Sequence, residues 1–399
     1  MANGNHCMYF VKRKKRFCRM TVGEGKDYCG EHRQDIADPE DSGDRRVKCP
    51  LDPTHTCYQS KLRKHLNVCN AKRELDVQPT FIVKGVNLDE EVIVASPHVP
   101  LSQLDGSVLE AVIRKIHSAY DKLPDISQAI LQHDVLKSKL RDETCGSNVR
   151  KHLLQNASLL GHLEQAGLVH DDTCFIEFGA GKALLTYWLG QIIKDKSNSC
   201  VLVVDRSSHR HKNDNKLRKE DNRLVIKRIR ADIADLRLNQ VLEIQPIKYK
   251  VGIAKHLCGT ATDLAIRCLT KSMNNEPKVD VRGLVLAFCC HHKCEYSSYV
   301  GREYLRQCDF TANDFSVLCS IVSWATCGCR LKGKPQLDNV DWSQKLDERE
   351  LIGRKAKTLL NWGRLFFLQS IGFKTELFYY TSTDVSLENM CIVATRDLT

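Results

Sequence analysis

No stretch of this chain approaches the roughly 20 consecutive apolar residues that a membrane-spanning helix needs, so no such helix is expected. The N-terminus, MANGNHCMYFVKRKKRF, lacks the apolar core of a secretory signal, which points to an intracellular protein. No internal repeat stands out beyond two Cys/His-rich blocks of unlike pattern. A glycine turn at 179–181 lacks the third glycine of the full G-x-G-x-x-G dinucleotide fingerprint, with Leu184 in its place.

What is present is a chain of 399 residues, enough for two or three domains, with the apolar (42%) and charged (27%) content of a globular protein. It carries 19 cysteines. In a long chain without a signal these are expected to be metal ligands, site residues or buried thiols in a reducing compartment, not disulfides. Net charge is +11, and the first 75 residues hold 16 basic against ten acidic side chains. A basic end of this kind is compatible with a polyanionic partner.

The first Cys/His block reads C-x10-C-x10-C-x2-H through Cys7, Cys18, Cys29 and His32. The second reads C-x5-H-x9-H-x3-C through Cys49, His55, His65 and Cys69. Zinc takes four soft or borderline donors in a tetrahedron, and pairs such as C-x2-H and H-x3-C let one turn supply two of them. Neither block has enough apolar residues for its own core, so two zinc ions are expected, with folding coupled to binding. Cys57 competes as a ligand in the second block but fits the spacing less well and is read as packing; His6 is read as an exposed terminal histidine. The basic run VKRKKRF (11–17) lies inside the first block and could contact phosphates or direct nuclear import. An acidic stretch, DIADPEDSGD (35–44), reads as a solvated linker between the blocks.

Further on, Val108, Val112, Ile116 and Tyr120 recur every four residues and predict a helix over 104–123. A second helix is predicted over about 148–165, and residues 71–100 hold at most a short strand. From residue 172 apolar runs alternate with helical segments: CFIEF, CVLVVD, RLVIKRIRADI, YKVGIAKHL and VRGLVLAF. That alternation implies a mostly parallel sheet covered on both faces. After a helix over 348–371, GFKTELFYYT and ENMCIVATR predict an antiparallel hairpin at a sheet edge.

Gly179 and Gly181 follow the first of these strands and precede a helix, and Asp205 ends the next strand, where a carboxylate can accept ribose hydroxyls. An adenosine-containing ligand is expected there. Glu177 would repel a pyrophosphate but suits an ammonium, which favours S-adenosylmethionine over NAD. Asp232 and Ile233, after the third strand, can meet an adenine edge and face; Asp232 can equally cap a helix.

These motifs together resemble a known family. The two Cys/His blocks, EFGAGK, KHLCGTATDLAIRCL, AFCCHHKC and NWGRLFFLQSIGF…YYTSTDVSLEN are similar to the eukaryotic tRNA 2′-O-methyltransferases that modify nucleotide 4 of the acceptor stem. The second block also resembles the CHHC finger of a minor-spliceosome protein. The resemblance implies a CCCH finger over 1–34, a CHHC finger over 46–71, a linker and helical segment over 72–147, and a Rossmann-like methyltransferase domain over 148–399. It implies S-adenosylmethionine as methyl donor and the acceptor stem of tRNAs such as those for Gly, Pro and His as substrate, with cytidine or adenosine at the target; no obligatory protein partner is evident. The family loop commonly continues GKG, whereas Ala183 stands in the third place here; alanine is expected to be small enough for helix–strand packing.

In folds of this class strand C-termini line the ligand crevice. The fourth strand ends in Lys255-His256-Leu257-Cys258-Gly259 and the fifth in Phe288-Cys289-Cys290-His291-His292, so these segments are expected to meet at the reacting centre. His256 and His292 are the candidate bases and Lys255 a candidate cation, with Asp263 as a possible orienting acid. A third metal site among Cys258, Cys289, Cys290, His291, His292 and Cys294, or purely structural thiols, are the competing readings. Arg302, Arg349, Arg354 and Arg364 are candidate RNA contacts. A non-catalytic RNA-binding zinc protein and a methyltransferase acting on another RNA or on protein are the alternative functions.

Overall fold

The computed structural model describes residues 6–11, 16–18, 20–22, 25, 27–29, 32, 45–69, 79–89, 101–209, 212–220, 223–326 and 342–396. The acidic stretch 35–44, the basic residues 12–15 and the 90–100 part of the proline-marked loop lie outside them. Contacts divide the chain into two units, Met1–Pro79 and Thr80–Thr399. The segment read as linker and helix, 72–147, straddles that division, and its described residues from Thr80 onward belong to the second unit.

Among its described residues the first unit holds little regular structure. Strands β1 (Phe10–Val11) and β2 (Arg16–Phe17) pair antiparallel, as do β3 (Arg46–Cys49) and β4 (Asp52–Tyr58), and helix α1 (Leu62–Val68) follows. Its described hydrophobic cluster consists of buried Cys49 and Cys69 with Leu51 and Leu66 against them. A pair of two-stranded ladders without an apolar face is not stable by itself in water.

The second unit is a seven-stranded sheet. Its strands are β5 (Thr173–Phe178), β6 (Cys200–Asp205), β7 (Val225–Arg230), β8 (Tyr249–Cys258), β9 (Asp280–Cys289), β10 (Lys374–Tyr379) and β11 (Met390–Thr395), in the order β10-β11-β9-β8-β5-β6-β7. Strands β5 to β9 are parallel; β11 runs antiparallel to β9 and to the edge strand β10. The expected edge hairpin is therefore present. Strand order reverses between β5 and β8, and a crevice opens above the C-terminal ends of strands at such a switch point.

Helices cover both faces. They are α2 (Gly106–Tyr120), α3 (Lys137–Arg141), α4 (Ser147–Gln165), α5 (Leu184–Ile193), α6 (Asn213–Glu220), α7 (Thr260–Asn274), α8 (Arg302–Gln307), α9 (Ala312–Ile321) and α10 (Trp342–Ser370). Alternate residues of β5 feed opposite cores: Ile176 and Phe178 join the α7 side, and Phe175 joins the α4 and α5 side. A third core joins α2, α9 and α10. The predicted face of α2 is buried at Val112 and Ile116, but Val108 is 44% exposed, because the first turn of the helix overhangs its neighbours.

Candidate active site and metal-binding clusters

Both Cys/His blocks converge. In each, the four donor atoms lie within 4.8 Å of one another: Cys7, Cys18, Cys29 and His32 in the first, Cys49, His55, His65 and Cys69 in the second. Neighbouring donors stand at 3.3 Å (Cys29 Sγ to His32 Nδ1), 4.0 Å (Cys18 to Cys29), 3.7 Å (Cys49 to Cys69) and 3.6 Å (Cys69 to His55). A tetrahedron with metal–ligand bonds of 2.0–2.3 Å has edges of about 3.3–3.8 Å, so both sets fit a zinc ion. Asp52 lies 3.3 Å from His55 Nδ1, in the place of the partner that orients a ligating imidazole. Cys57 lies outside the second cluster; it pairs with Val47 in the β3–β4 ladder. His6 is exposed and bridges to Thr21.

At the switch point the chain turns sharply after β5. Gly179 (φ 62°) and Gly181 (φ 53°) both adopt left-handed backbone. A Cβ on Gly179 would sit 2.8 Å from Leu257, whereas the space beside Gly181 is open. A ligand can therefore approach the backbone of this turn, as the adenosine reading requires. Asp205 closes the turn from below: one carboxylate oxygen accepts the Gly181 N–H at 2.7 Å, the other the Ser207 N–H at 2.7 Å. Asp232 caps the short turn after β7 by accepting the Ala234 N–H, with Arg206 at 3.4 Å, and Ile233 is 7% exposed beneath it. The capping alternative for Asp232 is thus realised.

Lys255 and His256 owe their placement to a register break. Ala254 pairs with Leu286 but Leu257 with Phe288, so β8 carries one extra residue, and His256 takes φ 58°. Such a bulge re-aims side chains that would otherwise alternate across the sheet. Both residues then meet α4. Lys255 Nζ lies 3.5 Å from the His152 carbonyl, and His256 Nε2–H donates to Gln155 Oε1 at 2.6 Å. That bond leaves Nδ1 of the neutral ring with its lone pair.

Glu177 lies buried on the adjoining strand and accepts from the Thr186 N–H (2.9 Å) and hydroxyl. Burial pushes its carboxyl up to about 7, against the pull of Thr186 and Lys255. Burial likewise brings Lys255 down to about 8, opposed by Glu177, and His256 down to about 4, helped by the Lys255 charge. The result is a buried acid and amine whose proton affinities both lie near neutrality, which is the electrostatic signature of acid–base sites.

The two segments expected to meet do so. The Gly259 N–H donates to the Cys289 carbonyl at 3.0 Å, and a Cβ on Gly259 (φ 53°) would collide with Lys293 at 2.6 Å. His292 is exposed on the turn after β9, whereas His291 is buried and donates from Nε2 to Asn361 at 2.8 Å. Asp263 orients no histidine. It is fully buried and holds both nitrogens of Arg364, Nε at 3.0 Å and Nη2 at 2.8 Å, at the base of α7. That pairing also removes Arg364, 1% exposed, from the candidate RNA contacts. Arg302 pairs with Asp89, Arg354 with Glu350, and Arg349 stacks on Trp324. Gln155 was not anticipated; a glutamine among the leucines of a buried helix face was its signal.

The profile of the methyltransferase TRM13 family matches residues 154–395. A profile described as the CCCH zinc finger in TRM13 protein matches residues 5–33, and that of the U11-48K-like CHHC zinc finger matches 46–70. The chain is similar to a mouse "tRNA:m(4)X modification enzyme TRM13 homolog", 35% identical over 97% of this chain and 94% of the relative. A human homolog is 36% identical over the same shares, and a Kluyveromyces lactis protein, "tRNA:m(4)X modification enzyme TRM13", is 33% identical over 98% and 95%.

Proposed function

This chain belongs to the TRM13 methyltransferase family, and on that premise we propose that it methylates the ribose 2′-hydroxyl of nucleotide 4 in the acceptor stem of tRNA, with S-adenosylmethionine as donor. The donor, when bound, supplies an electrophilic methyl group. The chain's own residues hold it and prepare the hydroxyl. Gly179 and Gly181 would admit the ligand to the backbone, Asp205 would receive its ribose, Ile233 would line its base beside the Asp232 cap, and Glu177 would balance its ammonium.

The observation that carries the reading is the bulge that turns Lys255 and His256 together beside buried Glu177. A sugar hydroxyl is a poor nucleophile and needs a base matched to neutral pH. Lys255, at about 8, is better matched than His256, at about 4. That value brings the neutral amine within reach of neutral pH, ready to take the hydroxyl proton. His256, neutral and fixed by Gln155, orients the hydroxyl through Nδ1. Exposed His292 stands outside this buried group.

Duplex RNA presents its 2′-hydroxyls in a wide, shallow minor groove, so the target need not be flipped out. The two fingers, each holding one zinc, grip the stem through phosphates, and binding weakens steeply with salt. The test is purified protein with labelled donor and total tRNA, followed by nuclease mapping. Label in a 2′-O-methyl nucleotide at position 4 is expected; label in a base, or in no RNA, overturns the proposal.

A further inference from the structure

Three cysteines gather at the catalytic end of the sheet. Cys258 ends β8 and is exposed, Cys289 ends β9 and is buried, and Cys290 follows with φ 51°. The parallel register sets Cys258 opposite Cys289, so both side chains leave the sheet on one face. Their sulfurs are 2.8 Å apart, and the Cys290 sulfur lies within 4.8 Å of both.

Spacing separates two chemistries. Thiolates around one zinc ion stand about 3.8 Å apart. The finger pairs meet that distance, at 3.7 Å and 4.0 Å; the 2.8 Å pair does not. Among the described residues this cluster offers three donors rather than four. Cys294, next along the chain, instead accepts from Arg364 Nη2 at 3.1 Å. Two sulfurs in closer than van der Waals contact, one exposed and one buried, are arranged for a bond to each other. The hydrogen bond from Cys289 also lowers the proton affinity of the Cys258 thiol and raises that of Cys289, which favours the exposed sulfur as the thiolate.

We propose that peroxide converts Cys258 and Cys289 into a reversible disulfide, and that this bond switches off the adjoining site. The Cys258 thiolate attacks one peroxide oxygen; the O–O bond breaks, and the departing hydroxide takes a proton to become water. Cys258, oxidised by two electrons, is left as a sulfenic acid. The Cys289 sulfur then attacks the Cys258 sulfur, the S–O bond breaks, and a second water leaves with the Cys289 proton. A dithiol reverses the bond by two exchange steps. Both sulfurs contact the His256 carbonyl, at 3.5 Å from Cys258 and 3.0 Å from Cys289. Joining them removes the Cys289 S–H donor and ties both sulfurs to the segment that aims Lys255 and His256. The loss of activity rests on the functional reading above; formation of the disulfide does not.

The zinc-loaded chain of residues 1–399 is treated with hydrogen peroxide, alkylated with iodoacetamide, digested and mapped by mass spectrometry. Transfer to tRNA and zinc content are followed before treatment, after it, and after dithiothreitol. A Cys258–Cys289 linked peptide is expected, with transfer reduced about tenfold or more, as misplacement of a catalytic group produces, and restored by dithiothreitol. Cys258→Ser and Cys289→Ser, each measured against its own untreated rate, should resist the same dose. The proposal is overturned by absence of the linked peptide, by equal inactivation of both variants, by undiminished transfer in the linked protein, or by three zinc ions per reduced chain. Should the reduced protein methylate no RNA, the functional reading fails, while the linked peptide still decides the thiol chemistry.

Discussion

Cysteine serves two opposite purposes in the two units. In the fingers, Cys49 and Cys69 are the buried cluster, and little else is there to be buried. In the sheet unit, Cys174, Cys268 and Cys391 sit among dozens of aliphatic side chains, and burial pushes all three thiols up, Cys268 to about 12. A thiol that cannot ionise is a small hydrophobe. A thiol with three other donors at tetrahedral spacing is a ligand, and its unit has no other means of folding. Neighbours, not the residue type, decide which.

The largest expected effect follows from that contrast. A structural zinc contributes roughly 10–16 kcal/mol of apparent binding energy, all of it folding energy where no preformed site exists without it. Chelation should therefore unfold the two fingers and leave the thermal transition of the sheet unit in place, read by amide spectra and calorimetry. Elemental analysis should find about two zinc ions per chain, one after Cys69→Ser and two after Cys268→Ser. Collapse of the sheet unit on chelation would break the comparison.

The next effect tests the catalytic end. Lys255→Met should lower kcat by about 10²–10⁴-fold if the amine is the base. Arginine keeps the charge but does not deprotonate, so Lys255→Arg should be as inactive; retained activity would make Lys255 a cation only. For the native protein the rate should rise with pH through about 8, since the neutral amine is the active form. Stability follows the same sign. The folded pKa lies below the unfolded value of 10.5, so the unfolded state binds more protons between about 8 and 10.5, and this residue's destabilising contribution fades as pH rises through that window.

A smaller effect concerns the buried pair of Asp263 and Arg364. Removing one partner of a buried ion pair costs about 3–5 kcal/mol, because the other charge is left unpaired. Asp263→Ala should lose that much in urea titration, and Asp263→Leu combined with Arg364→Met should lose less than either change alone.

The parallel strands, the edge hairpin and both donor sets were legible because each has a local signature: apolar runs of strand length, turn glycines, paired ligands three or four residues apart. What was not legible depends on partners far along the chain. Arg364 read as a candidate RNA contact because nothing near it in sequence announces Asp263, 101 residues away. The β8 bulge left no mark either, since YKVGIAKHLC keeps its apolar run while Lys255 and His256 change sides. Asp205 was legible as the acid that ends β6, but its bond to the Gly181 N–H was not.

The smallest effect concerns Ala183, read from sequence as a packing residue. The structure gives it a second property: φ 58° and ψ 45° at the head of α5, fully buried. An L-residue in this conformation costs about 1–2 kcal/mol, which explains why glycine suits the position. Ala183→Gly relieves that strain. It also removes a buried methyl, worth about 0.8 kcal/mol, and frees the unfolded chain, worth about 0.5–1 kcal/mol. The terms nearly cancel, so the melting temperature should hardly move. Valine separates the two properties. A branched side chain adds overpacking of about 1–3 kcal/mol to a backbone region it tolerates poorly, so Ala183→Val should destabilise the sheet unit clearly where Ala183→Gly does not. A large gain from glycine would mean that strain dominates the position, and a large loss that packing alone had set it.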